Sequence, residues 1–153
     1  SVTVEQLGVY DRLSRENTVY WHWCQPAAEA IRQAEQSQVY LLSANAVSET
    51  GALVNIDGTG NRIAASLHGR ERVIFLVGVN KLVKNMEEAV HRVEQVAAPL
   101  NTKRLNSGTP CEITGNCAHC RSKGRICCSY VRMAQQRVRD RIKVIIVNEN
   151  LGY

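Results

Sequence analysis

Nowhere in this chain does an apolar run extend far enough to cross a membrane, and no basic-then-apolar leader precedes the first periodic segment. Those absences leave the cytoplasm as the expected compartment. No repeat or low-complexity linker divides the sequence, so its 153 residues read as one domain of a size that can bury a substantial core. No Ser/His/Asp or Cys/His triad is legible, because His22, His68, His91 and His119 are scattered. Glu149, near the end of the last predicted strand, is a candidate acid or base.

What is present in excess is cysteine, in one place. Five of the six fall between Cys111 and Cys128, and Cys24 stands apart as an ordinary small apolar residue. Cys117-x-x-Cys120 lets two thiolates of one turn chelate the same ion, with Cys111 and Cys127 far enough away on either side to close the shell. Four thiolates suit an iron–sulfur cluster and tetrahedral zinc equally; the outer gaps match neither the commonest zinc ribbon nor the common ferredoxin run. Disulfides or buried free thiols are the competing reading, although clustered cysteines agree better with a reducing compartment.

The positive charge is local too. From Lys103 to Lys143 there are ten Lys or Arg against only Glu112 and Asp140, while the remainder is slightly acidic. Tyr130 is the only aromatic within that cysteine-bearing stretch, which leaves little to stack on bases and argues against nucleic acid as a partner. Arginines beside thiolates offset the negative charge, and the rest could attract an anionic substrate or an acidic electron-transfer partner. A merely solvated basic face is the alternative.

The periodicity predicts alternating helices and strands. Residues 3–13 read as a helix capped by Thr3, and Pro26 opens another through Ala34. Short strands follow at 39–42 and 52–56, with strong apolar strands at 73–79 and 142–147. Asn85 caps a helix whose apolar face runs from Met86 to Ala97, and Pro99 helps to stop it. The expected fold is α/β, Rossmann-like, with a largely parallel sheet and flanking helices. Leu100 to Gln136 reads as the only long irregular segment, with residues 103–136 forming an inserted cysteine-rich basic loop.

In such a sheet ligands gather at the carboxyl ends of the strands. One end carries Asp57-Gly58-Thr59-Gly60-Asn61-Arg62, a strand–glycine turn–helix arrangement. There Gly58 and Gly60 allow close backbone approach to an anion, while Thr59 and Arg62 add donors; a plain turn is the alternative. Asn45 and the pair Asn80-Lys81 are expected on the same rim, Lys81 as a charge for an anion or, if desolvated, a nucleophile, with a simply solvated lysine as the alternative.

Taken together, several runs resemble the stand-alone lactate-utilisation (LUD) domain proteins. They are Ser43-Ala-Asn-Ala, Gly51 to Arg62, Val77-Gly-Val-Asn-Lys, Thr109-Pro-Cys, Cys117-x-x-Cys120, Arg125-Ile-Cys127 and Glu149-x-Leu-Gly. The resemblance covers nearly the whole chain, in the family's order. It implies a fold akin to the NagB, ribose-5-phosphate isomerase and CoA-transferase group, whose members often set a glycine-rich loop against a phosphate or acyl ligand. It also implies a role around the oxidation of lactate to pyruvate, a system that contains iron–sulfur subunits. The expectation is an accessory or electron-transfer component acting on a small 2-hydroxy acid. Two alternatives stand beside it: a metal-stabilised metabolite-binding or regulatory domain, and an isomerase or transferase acting on a phosphorylated or acyl substrate. Family members usually carry an N-terminal segment ahead of Ser-Val-Thr; its absence suggests a truncated chain, an open sheet edge and a possible homodimer. Cys128 stands where relatives more often have a small polar residue, and Lys123-Gly replaces a commoner proline-containing turn.

Overall fold

The computed structural model describes residues 1–153. Two sheets share the core. The first is wholly parallel, in the order β1 (Val39–Leu42), β4 (Arg72–Gly78), β7 (Ile142–Val147). The second is mixed, in the order β5 (Leu82–Val83), β2 (Ala46–Ser48), β3 (Leu53–Asp57), β6 (Ser129–Met133), with β3 antiparallel to both its neighbours. The expected α/β class and parallel sheet are therefore present. The expectation that β3 shares that sheet is corrected: Gly51, at φ 82°, turns the chain back after β2 and makes a hairpin.

The inward faces explain this arrangement. Val73, Phe75 and Val77 alternate along β4 and are completely buried, packing with Leu42, Val47 and Leu53 between the two sheets. On the far side of the second sheet, Ala46, Val54 and Ile56 meet Ala89, Val93 and Ala98. Those alanines and valines lie on one long helical stretch: α5 (Met86–Arg92), a π-helical turn (Val93–Ala97) and α6 (Ala98–Leu105). The Asn85 side chain accepts from the Glu88 N–H at 2.9 Å, capping α5 as its position predicts.

Three further expectations change. Pro99 does not stop the helix. It occupies the first turn of α6, where its missing N–H costs little, and the π-helical turn just before it gives its ring room. The helix predicted over residues 3–13 is two short ones, α1 (Val2–Gln6) and α2 (Val9–Leu13), broken at Gly8 with φ 60°. Thr3 is buried rather than capping. Nor is residues 103–136 one irregular insertion: α6 runs into it, α7 (Pro110–Thr114) lies inside it, and β6 closes it by pairing with β3. Helices α3 (Ala27–Ala34), directly after Pro26, and α4 (Asn61–Leu67), directly after Gly60, complete the fold. No helix is long and apolar enough to cross a membrane.

Candidate functional site

A cleft of about 1730 Å³ opens between the carboxyl ends of β1 and β3, the N-terminal helices and α6. Its floor forms where β1 and β4 run parallel and release the chain at one rim: β1 delivers Ser43 and Asn45, and β4 delivers Asn80 and Lys81. Although β3 belongs to the other sheet, its carboxyl end reaches the same rim through Arg62. The Arg62 guanidinium donates to Ser43 O at 3.4 Å, to Asn45 Oδ1 at 3.2 Å and to Ile56 O, and stands 3.7 Å from Asp57 Oδ2. The strand ends expected to lie together do so.

Lys81 is the least accessible charge there, 3 % exposed. Its Nζ donates to Thr3 Oγ1 at 2.7 Å and Ser43 Oγ at 3.0 Å, and it makes no ion pair with any carboxylate. Burial, with the Arg92 and Arg62 charges behind it, pushes its pKa from 10.5 down to about 7. Arg92, itself lowered by burial, is held by Asn80 O at 2.9 Å and Asn45 O at 2.6 Å. Asn80 in turn fastens the C-terminal tail, accepting from Leu151 N at 3.1 Å and donating to Gly152 O at 3.3 Å.

The glycine turn is bound into this frame. Gly60 takes φ 87° ahead of α4, and a side chain on Gly58 would sit 3.4 Å from Ile126 O. Asp57 Oδ2 accepts from Ile63 N at 3.3 Å, while Thr59 and Asn61 bond each other at 2.7 Å in an exposed position. Several donors assigned to an anion thus have internal partners. Asp57 lines the cleft and is within reach of a bound molecule; Glu149 is exposed, and its backbone carbonyl accepts from Val79 N.

Sequence reasoning missed the opposite wall. Tyr10, Trp21 and Trp23 form a ladder with centroid separations of 5.3 and 5.6 Å, and the Arg104 guanidinium lies 5.2 Å from the Trp23 ring centre. Arg104 also bonds Tyr153 OH at 2.7 Å and Asn101 Oδ1 at 3.0 Å. No periodicity marks a contact between residues 23, 104 and 153. Thr3, read as a cap, belongs to the floor.

The cysteines are arranged differently. All six are free thiols. Cys111 is buried on α7, its Sγ 3.4 Å from both Thr102 Oγ1 and Thr109 Oγ1. Cys117, Cys120 and Cys127 lie on the connection to β6, where Arg125 donates to Cys120 O at 2.6 Å and Cys127 O at 2.9 Å. A hydrogen bond from Ser122 lowers the Cys120 pKa, whereas burial raises that of Cys127. As placed, no three His, Cys, Asp or Glu side chains are grouped to hold a metal ion, so the four thiols do not form a ready four-coordinate site.

No curated protein and no solved structure matches this chain. The family model described as LUD domain matches residues 1–147, and the chain therefore belongs to the LUD domain, lactate-utilisation-type family.

Proposed function

We propose that this LUD-domain chain binds a short carboxylate-bearing metabolite, of the 2-hydroxy or 2-oxo acid class, on the floor of the cleft, as a component of lactate-utilisation-type oxidation. The observation that carries this is the meeting of two cations at one residue: Arg62 on Ser43 O and Lys81 on Ser43 Oγ. Both face a cleft in which Lys81 has only neutral partners, so an entering carboxylate supplies the missing counter-charge. Arg62, Asn45 and the turn from Asp57 to Asn61 form one side of this site and Lys81 the other, with Asn80 outside the lining and holding the C-terminal tail.

Titration calorimetry with lactate, pyruvate and inorganic phosphate tests it. Arg62→Ala should weaken carboxylate binding roughly 10- to 100-fold, the worth of a charge-assisted hydrogen bond, with circular dichroism unchanged. Equal affinity in wild type and variant for all three probes removes the assignment.

A metal at the cysteine loop is the second reading, favoured by Arg125, which draws the backbones of Cys120 and Cys127 towards one guanidinium. Cys117, Cys120 and Cys127, with Cys111 as fourth ligand, would hold it, and an iron–sulfur cluster there would serve electron transfer to a partner protein. Structural zinc is the alternative occupant. Elemental analysis of anaerobically purified protein separates iron with sulfide, zinc and neither.

A further inference from the structure

Lys81 differs from every other lysine in the chain. Lys84, Lys103, Lys123 and Lys143 are partly or fully exposed, whereas Lys81 sits against the cleft between two buried hydroxyls, with Arg92 and Arg62 close enough to act on its charge and no carboxylate paired with it. A lysine set only for structure would be expected to carry an acid partner, because an unpaired buried charge is costly. Desolvation beside other cations is instead the environment that leaves an amine neutral and nucleophilic. Its lowered pKa agrees with that.

We propose that Lys81 is a covalent site, at which its ε-amine condenses with the carbonyl of a short 2-oxo acid whose carboxylate rests on Arg62. This rests on the carboxylate-binding reading above. Ser43 sets the spacing: its carbonyl oxygen touches Arg62 and its hydroxyl touches Lys81, so the carboxylate and the reacting carbon must be near neighbours in the ligand. The Nζ lone pair attacks the carbonyl carbon, and the C=O π pair moves to oxygen. Two protons pass in turn from nitrogen to that oxygen, the first giving the carbinolamine and the second letting the oxygen leave as water as the C=N bond forms. The sum is amine plus ketone giving imine plus water, with no oxidant or reductant consumed.

Two groups can carry the proton. Thr3 Oγ1 and Ser43 Oγ lie 2.7 and 3.0 Å from Nζ, and each donates onward only through a long 3.3 Å bond, to Leu151 O and Ala44 O respectively.

The experiment is reductive trapping of the full chain. Protein is incubated with pyruvate and sodium cyanoborohydride at neutral pH, digested, and the reduced adduct mapped by peptide mass spectrometry, with calorimetry run on the same preparation. The expected result is labelling of the Lys81 peptide on the order of a thousandfold above any exposed lysine, following the larger neutral fraction of its amine. Lys81→Arg should abolish this while leaving labelling elsewhere unaltered. Pyruvate binding without an adduct on Lys81, or labelling spread evenly over the exposed lysines, overturns the covalent site and leaves the binding reading standing. Neither binding nor an adduct overturns both.

Discussion

On the cleft floor, Thr3, Ser43, Lys81 and Gly152 come from four distant stretches of chain and interlock. Between Gly115 and Cys128, by contrast, Cys117, Cys120 and Cys127 are close in sequence, yet their side chains do not converge on a common point. The floor spends stability: it keeps a buried amine without an acid partner, a local cost of the kind that functional sites carry. The loop's hydrogen bonds run partly through backbone carbonyls, where Arg125 holds Cys120 O and Cys127 O, and partly through single sulfurs, where Cys117 Sγ accepts from His119 N and Cys128 Sγ donates to Arg125 O. Nearness in sequence thus placed the more conspicuous candidate, and the fold placed the more constrained one.

The comparison breaks most readily at its arginines. Arg92→Ala removes a buried guanidinium from two half-buried carbonyls and should cost about 2–4 kcal/mol, whereas Arg125→Ala, on the more exposed loop, should cost clearly less. Urea denaturation midpoints check this, and similar losses would mean that the loop is as integral as the floor.

A smaller effect of the opposite sign is expected at Lys81. Lys81→Met removes the unpaired charge and should stabilise the protein by about 1 kcal/mol at pH 7. The folded chain releases the Lys81 proton near pH 7, while the unfolded chain holds it to about 10.5. Between those values the unfolded state binds more protons, so the Lys81 contribution makes wild-type stability rise with pH; below 7 both states are charged and the cost is complete. Thermal unfolding at pH 7 and pH 9 should show a steeper rise for wild type than for Lys81→Met, and parallel slopes would remove the effect.

The smallest expected change in stability sharpens the other side. Iodoacetamide should modify Cys120, whose thiolate Ser122 favours, ahead of Cys127, with buried Cys111 last. Alkylating Cys120 alone should leave the unfolding midpoint nearly unchanged. Peptide mapping over time reads the order, and early loss of Cys111 would show that α7 opens readily.

Much of this was legible. Unbroken apolar runs marked β4 and β7, the Asn85 cap marked α5, and strand-end polar residues marked the rim. What escaped depended on partners remote in sequence. The antiparallel placement of β3 begins at the Gly51 hairpin with β2 and is completed by its pairing with β6, some seventy residues away, and the pattern of a fully buried strand is the same in either kind of sheet. Pro99 read as a stop because the π-helical turn that accommodates it leaves no composition signal. Thr3 fitted a capping pattern, while its actual partners, Lys81 and the tail at Leu151, lie 78 and 148 residues along the chain.

That tail gives the molecule a mechanical property. Leu151 and Gly152 are bound to Thr3, Gln6 and Asn80, so the first and last described turns of the chain are stitched side by side beneath the cleft. A force pulling the two ends apart would load these few bonds before it reached either sheet. In a stretching experiment the first rupture would therefore unroof Lys81 while the strands were still paired, making the floor the weak link under tension as well as its most constrained part at rest.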